Sequence, residues 1–358
     1  MKVIYDYQIM IAQRYGGISR SYFELLQRFK TNNEIKPELL CLFNDNAYFS
    51  QGKSHKLYSK IRGRHRLNKI RTIMHLRMDN YDIFHPTYFD PYFLKYNKGK
   101  LVLTVYDMIH ELMSDYFSDA ATVIENKKLL MHKADRIIAI SESTKKDILR
   151  LYPDIDEKKI SVIYIGSNFN ASDTKERDER FPSRYVLFVG TRRIYKNYDS
   201  FFESMIPILE DDRDLHLVCI GGGKFTEQEL ARQKKYEDRI HQMTVDDQTL
   251  CYAYSHALCF VFPSLYEGFG IPTLEAFACN CPVVLSNTSS MPEVGGNAVE
   301  YINPNDVNDM TQKIQNVLND ENLRVRMIEK GREQLKKFDW DEIAQQTIDC
   351  YKEVLNGL

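Results

Sequence analysis

Short apolar runs alternate with longer amphipathic stretches along the whole chain. Runs at 1–5, 37–42, 81–85, 101–106, 136–141 and 160–163 have strand length, and six more follow at 185–189, 215–220, 240–243, 257–262, 283–286 and 298–301. Strands alternating with helical patterns predict βαβ units and parallel sheets, so the expected fold class is α/β. Between the two sets, residues 166–182 are rich in Asn, Ser, Asp, Lys, Glu and Arg with almost no apolar residue, which marks a linker. The pattern predicts two Rossmann-like domains, 1–166 and 183–339, joined by 167–182. After Phe338-Asp339-Trp340, residues Ile343, Thr347, Tyr351 and Val354 recur at helical spacing, predicting a last helix over 340–358. Two such domains facing each other would leave a central cleft, where loops at strand C-termini meet a ligand.

Length agrees, because 358 residues exceed one ordinary core. The 48 Lys and Arg against 50 Asp and Glu leave a net charge of −2, which argues against a general nucleic-acid binder. The seven cysteines (41, 219, 251, 259, 279, 281, 350) form no C-x-x-C pair, and several sit inside apolar strands. They read as reduced core thiols of a cytoplasmic protein, with no zinc site. No run approaches the ~18 apolar residues of a membrane span, and the chain opens on a strand where a signal peptide would stand. Charge is nevertheless uneven. From Lys53 to Arg77 there are nine Lys or Arg, three His and no acid. This is either a solvated loop-and-helix face or a site for anionic lipid headgroups or the diphosphate of a lipid-linked acceptor. The second reading places the protein peripherally at the inner face of a membrane.

The candidate chemistry centres on Glu267-Gly268-Phe269-Gly270-Ile271-Pro272-Thr273-Leu274-Glu275, which follows the apolar run ending at Phe262. Gly268 and Gly270 let the backbone approach a ligand, and Pro272 suits the first turn of a helix. An ionised carboxylate only accepts hydrogen bonds, so two of them suit a ligand rich in hydroxyls. The helix start between them favours a phosphate. Together these features point to a nucleotide sugar.

The stretch resembles the paired-glutamate signature of retaining glycosyltransferases of family 4, which have the two-domain GT-B fold. That resemblance implies that Glu275 holds the ribose, that Glu267 holds the hexose, and that the backbone of Phe269, Gly270, Ile271, Thr273 and Leu274 lines sugar and phosphate. It also implies that the last helix crosses back onto the first domain. Gly190-Thr191-Arg192-Arg193-Ile194-Tyr195-Lys196-Asn197 resembles the loop that neutralises the donor diphosphate, with Arg192 and Lys196 as the cations and Arg193 as a rival for Arg192. Gly221-Gly222-Gly223 lacks the spacing of a dinucleotide fingerprint and is similar to the family's glycine turn near the nucleotide, which assigns Gly222. Residues 240–244, with Met243, stand where members hold the base through backbone groups. Gly16 and Gly17, at the start of a helix carrying Tyr22, Phe23, Leu25, Leu26 and Phe29, match the loop facing donor phosphate and acceptor.

One departure is clear. Where many members have His-Asp, this chain has Tyr106-Asp107. Either the Tyr106 hydroxyl replaces the histidine contact, or His110 reaches in from the next turn, or activity is altered. Asp107 is a catalytic-side carboxylate or a turn acid. His85 either touches acceptor or is a buried turn histidine. Asp154-Ile155-Asp156 and Asp339-Trp340-Asp341 read as turn and capping residues, with no metal expected, and Ser143 or Thr144 is expected to cap a helix. The resemblance implies a retaining, metal-independent hexosyltransferase, of the mannosyltransferase kind found in bacterial surface polysaccharide synthesis. Its donor would be a nucleotide diphosphate sugar and its acceptor a saccharide or lipid-linked saccharide. The alternative is a catalytically silent partner protein of the same fold.

Overall fold

The computed structural model describes residues 1–49, 63–170 and 178–357. Residues 53–62 of the basic run and 171–177 of the linker lie outside the described residues. The chain forms two compact units, Met1–Ile165 together with Trp340–Leu358, and Gly166–Asp339.

The first unit is built on six parallel strands, β1 (Lys2–Tyr5), β2 (Lys36–Leu39), β3 (Ile83–His85), β4 (Lys100–Val105), β5 (Arg136–Ala139) and β6 (Ile160–Val162). Their order is β2-β1-β3-β4-β5-β6. The second unit repeats the plan with β7 (Tyr185–Val189), β8 (His216–Ile220), β9 (Ile240–Met243), β10 (Cys259–Phe262), β11 (Val283–Ser286) and β12 (Glu300–Ile302), in the order β12-β11-β10-β7-β8-β9. Every strand falls on an apolar run predicted from the sequence. Central strands such as β10 are buried at each residue, because helices cover both faces of the sheet. β2, at the edge, is half-exposed and tolerates Pro37, whose missing N–H costs nothing on an open side.

In each sheet the strand order reverses beside the first strand, between β1 and β3 and between β7 and β10. Connections leave such a point in opposite directions and open a crevice at the strand C-termini. Phe188, Phe201, Leu217, Val261, Val284 and Ile314 join in the core of the second unit. Each such side chain contributes roughly 1.5–3 kcal/mol by leaving water.

In the first unit, helix Gly17–Thr31 turns Tyr22, Leu26 and Phe29 inward. Helix Trp340–Asn356 packs on the same unit through Ile343, Thr347, Tyr351 and Val354. Its Tyr351 hydroxyl lies 2.6 Å from that of Tyr5 and 2.7 Å from His85 Nδ1. One cap differs from expectation. Ser141, not Ser143 or Thr144, caps helix Glu142–Leu151 by accepting from the Thr144 N–H, because β5 ends at Ala139 and the chain turns earlier. Six of the seven cysteines are buried. Among the described residues no helix is long and apolar enough to cross a membrane.

Candidate functional site

In the second unit, the loops after β7 and β10 meet where the strand order reverses. The Leu265 N–H donates to the Tyr195 carbonyl at 2.8 Å, which fastens the two loops together. Beside that bond the Lys196 ammonium lies 2.5 Å from Glu267 Oε1. Both side chains are mostly buried, at 13 and 14 % exposure, and the ammonium also sits 5.0 Å from the centre of the Phe262 ring. Gly190, just before this loop, has φ +135°, a conformation that favours glycine. Glu267 is held at its backbone as well. Its N–H donates to Ser289 Oγ at 3.0 Å and its carbonyl accepts from Ser290 at 2.9 Å.

Downstream, Gly270 takes the left-handed conformation (φ +100°) and starts helix Ile271–Ala278, with Pro272 in its first turn. The N-terminal peptide groups of this helix therefore point toward the loop that carries Glu267. Phe269 and Leu274 are buried, Ile271 is half-buried, and the Thr273 hydroxyl is buried with no hydrogen-bond partner among the described residues. Glu275, in the middle of the helix, is 9 % exposed and accepts from the Tyr254 hydroxyl at 3.3 Å. Burial, and then the charge of Glu275, push the Tyr254 hydroxyl far above its ordinary range, so it stays a donor.

Arg192 lies elsewhere. Its Nε donates to Glu229 Oε1 at 2.6 Å, and its Nη atoms donate to the carbonyls of Gly221 (3.1 Å), Gly223 (3.0 Å) and Lys224 (2.9 Å). The side chain is 4 % exposed and its guanidinium stacks 4.6 Å from the Phe225 ring. Gly222, at φ +70°, passes so close that a Cβ would fall 2.8 Å from Arg192 Nη1. Four of the five N–H groups of Arg192 are thus engaged, one by Glu229 and three by carbonyls of the glycine turn. Arg193, the rival, is exposed; its carbonyl accepts from Lys196 N at 2.9 Å, and its side chain has no ion pair or hydrogen bond among the described residues. Glu229 was missed by the sequence reading, although Thr226-Glu227-Gln228-Glu229 carries the S/T-x-x-E spacing of a capping box. Burial raises the Glu229 carboxyl, but the Thr226 N–H and Arg192 outweigh it and hold it below the usual range. The Met243 carbonyl accepts from Gly221 N at 3.0 Å, which ties the end of β9 to the same turn.

In the first unit, Gly16 precedes helix Gly17–Thr31, and the Gln13 side chain folds over that end, its Oε1 accepting from Ser19 N at 3.2 Å. A Cβ on Gly16 would lie 2.3 Å from Gln13 Oε1, so a larger residue there would displace the Gln13 amide from this position. His85 lies in the core of the first unit. It is 1 % exposed, and its ring nitrogens face the Tyr351 hydroxyl at 2.7 Å and Thr104 Oγ1 at 2.8 Å. Burial depresses its pKa from 6.5 to about 3, so it stands neutral among these hydroxyls near neutral pH. Tyr106 is buried with its ring edge toward Tyr22, at 6.3 Å between centres. Burial, then Tyr22, raise its hydroxyl well above the ordinary range.

Asp107 accepts from Ile109 N at 3.0 Å, which is the bond of a turn acid. His110 is half-buried against Phe117, with its Nδ1 unpartnered among the described residues. Burial lowers its pKa. Beneath it, the fully buried Lys127 ammonium pairs with Glu111 at 2.8 Å and donates to the Asp107 carbonyl at 3.0 Å. No sequence signal announced that pair, because it depends on a contact between separate helices.

Among the described residues one group of side chains is spaced to hold a metal, Glu38, His75 and Asp79 in the first unit. The Lys2 ammonium already pairs with both carboxylates, at 2.9 and 3.5 Å. Asp154 pairs with His132 and Asp156 caps a short helical turn.

Comparison with known proteins matches these two units to two families. The family described as "Glycosyltransferase Family 4" matches residues 15–169, and "Glycosyl transferases group 1" matches residues 171–334. The chain is similar to O-antigen chain mannosyltransferase B of Escherichia coli, 28% identical over 367 residues, covering 94% of this chain and 96% of that protein. It is also similar to the O-antigen chain mannosyltransferase RfbU of Salmonella typhimurium, 28% identical and covering 70% and 73%. Among solved structures, sucrose-phosphate synthase from Thermosynechococcus elongatus superposes with a TM-score of 0.75 at 18% identity, covering 100% and 99%. Anabaena HepE in complex with UDP and glucose gives 0.72 at 16% identity, covering 97% and 98%.

Proposed function

We propose that this chain, which belongs to the GT-B glycosyltransferases of the family 4 type, moves a hexose from a nucleotide diphosphate sugar to a saccharide or lipid-linked saccharide, with retention and without a metal. The observation that carries this reading is the Lys196–Glu267 contact of 2.5 Å where the strand order reverses. At rest the two charges neutralise each other in a mostly buried place. A bound donor offers each a better partner, phosphate oxygens for the ammonium and sugar hydroxyls for the carboxylate. As the glycosidic bond breaks, negative charge grows on the diphosphate. Lys196 and the N–H groups that start helix Ile271–Ala278 lie ready to stabilise it.

Arg193, exposed two residues before Tyr195, is the second cation of this reading, while Arg192 fixes the glycine turn. Glu275 takes the ribose hydroxyls. In a retaining reaction on one face of the sugar, the leaving phosphate accepts the acceptor's proton, so the buried state of His85 and Tyr106 removes no required base. Relatives named as O-antigen mannosyltransferases make mannose the first sugar to try, and UDP in HepE makes uridine one base to include. The acceptor side of the reaction is proposed to proceed at the inner membrane face.

Release of labelled sugar from candidate donors tests the reading. Lys196→Ala is expected to lower turnover by about 10²-fold or more, the size seen for loss of one charge-stabilising donor. Unchanged turnover in that variant overturns the assignment. A thermal-shift screen of nucleoside diphosphates identifies the base, since a ligand at a hundredfold excess over Kd stabilises by about 2.7 kcal/mol. The buried Tyr106 favours one second reading, a silent nucleotide-binding partner protein. Nucleotide binding without turnover across a full acceptor panel would select it.

A further inference from the structure

Helix Arg64–Met78 in the first unit is turned inside out. Its buried face carries Asn68, Thr72 and Leu76, and Asn68 spends its amide on the chain beside it, accepting from Leu42 N at 2.6 Å and donating to the Phe43 carbonyl at 2.8 Å. The outward face carries Leu67, Ile70, Met74 and Met78, which are 45 to 77 % exposed. At about 3.6 residues per turn these four fall within an arc of about 80°. With Leu42, itself exposed, they border a groove of about 420 Å³. Isolated apolar residues on a surface need no explanation, but a contiguous stripe marks a contact.

The charges indicate what the contact is with. The helix holds Arg64, Arg66, Lys69, Arg71 and Arg77, and no acid. Helical spacing puts Arg66 and Arg77 along one border of the stripe and Arg64 and Arg71 along the other. Arg64 pairs with Asp45 and Lys69 lies 3.8 Å from Asp90, whereas Arg66, Arg71 and Arg77 have no acidic partner among the described residues. The acids nearest the helix end, Glu38 and Asp79, are paired with Lys2 and His75. An apolar centre with arginine on both borders fits an anionic bilayer surface. The stripe can sink roughly 5–10 Å into the headgroup boundary while the arginine stems reach up to lipid phosphates.

We infer that helix Arg64–Met78 is an interfacial anchor, which seats the first unit on an anionic lipid surface with Leu67, Ile70 and Met74 inserted. This deepens the membrane contact proposed above and does not depend on sugar transfer, because vesicle binding is read without donor or acceptor. Sedimentation with phosphatidylcholine vesicles, with and without phosphatidylglycerol, is the test. The protein is expected to bind only the anionic vesicles, and to lose that binding at high salt. The triple change Leu67→Ser, Ile70→Ser and Met74→Ser is expected to weaken it at least about tenfold, and Arg66→Gln or Arg77→Gln about fivefold each. A Met74→Trp variant should shift its emission to the blue on adding anionic vesicles, against the constant background of the buried Trp340.

All altered residues are exposed, and unchanged melting temperatures verify the fold. Failure of the full chain to bind anionic vesicles overturns the anchor. Equal binding by the serine variant removes the inserted stripe. A serine variant that turns a dimer into a monomer, with no vesicle binding by either form, assigns the face to a second copy of the chain instead.

Discussion

Two cations follow β7 four residues apart and end in opposite circumstances. Arg192 is enclosed by Glu229 and the carbonyls of residues 221–224, so nearly every bond it can make serves the shape of a turn. Lys196 faces a single carboxylate, Glu267, and an ammonium has three donors. A charge whose hydrogen bonds are exhausted within the fold stabilises that fold, whereas one with bonds to spare can take a ligand. Sequence spacing does not distinguish the two.

Four measurements separate these roles. Arg192→Ala should destabilise the protein most, by about 3 kcal/mol in urea unfolding, because Glu229 and the turn carbonyls lose a buried partner. If instead it leaves stability unchanged and abolishes turnover, the two cations have been assigned the wrong way round. Lys196→Ala should show the reverse weighting, with its rate loss of about 10²-fold and a smaller stability loss of about 1–2 kcal/mol, because a single contact is broken.

His85 supplies a control from the first unit, where the polar groups satisfy one another. Its folded pKa of about 3 lies below the ordinary 6.5. Between these values the unfolded chain binds the extra proton, so stability falls as pH drops from about 6.5 toward 3 and is unaffected above. The slope should approach about 1.4 kcal/mol per pH unit from this residue, and unfolding curves of His85→Gln should lack that part. An unchanged slope would mean the histidine titrates freely. The smallest effect is expected for Arg193→Ala, with nucleoside diphosphate binding weakened about three- to tenfold, as for one exposed charge contact of about 1 kcal/mol. Titration calorimetry measures it, and no change would leave Lys196 as the single cation.

Much of the fold was legible because the strands carry their own evidence. Runs such as Cys259-Phe260-Val261-Phe262 are apolar throughout, as strands buried on both faces must be, and Pro272 after Gly270 announced a helix start. Boundaries were less legible. Ala257 ends helix Asp247–His256 rather than opening β10, since an apolar residue serves equally in either place. The site divided in the same way. Glu267 and Gly270 stood out in the local pattern of carboxylates and glycines, and Lys196 only through its resemblance to a family loop. The fate of Arg192 was not, because it is decided by Glu229, 37 residues away. The roles of His85 and Tyr106 were left open because their surroundings come from distant parts of the chain, with Tyr351 266 residues from His85.

That last contact has a consequence for biogenesis. Tyr5 and His85 lie on β1 and β3, yet both find their hydroxyl partner on helix Trp340–Asn356, beyond the entire second unit. A nascent chain therefore carries the sheet of the first unit with one flank uncovered until the second unit has been made and this helix follows it. Loss of helix Trp340–Asn356 would damage a sheet far upstream rather than its own neighbours in sequence.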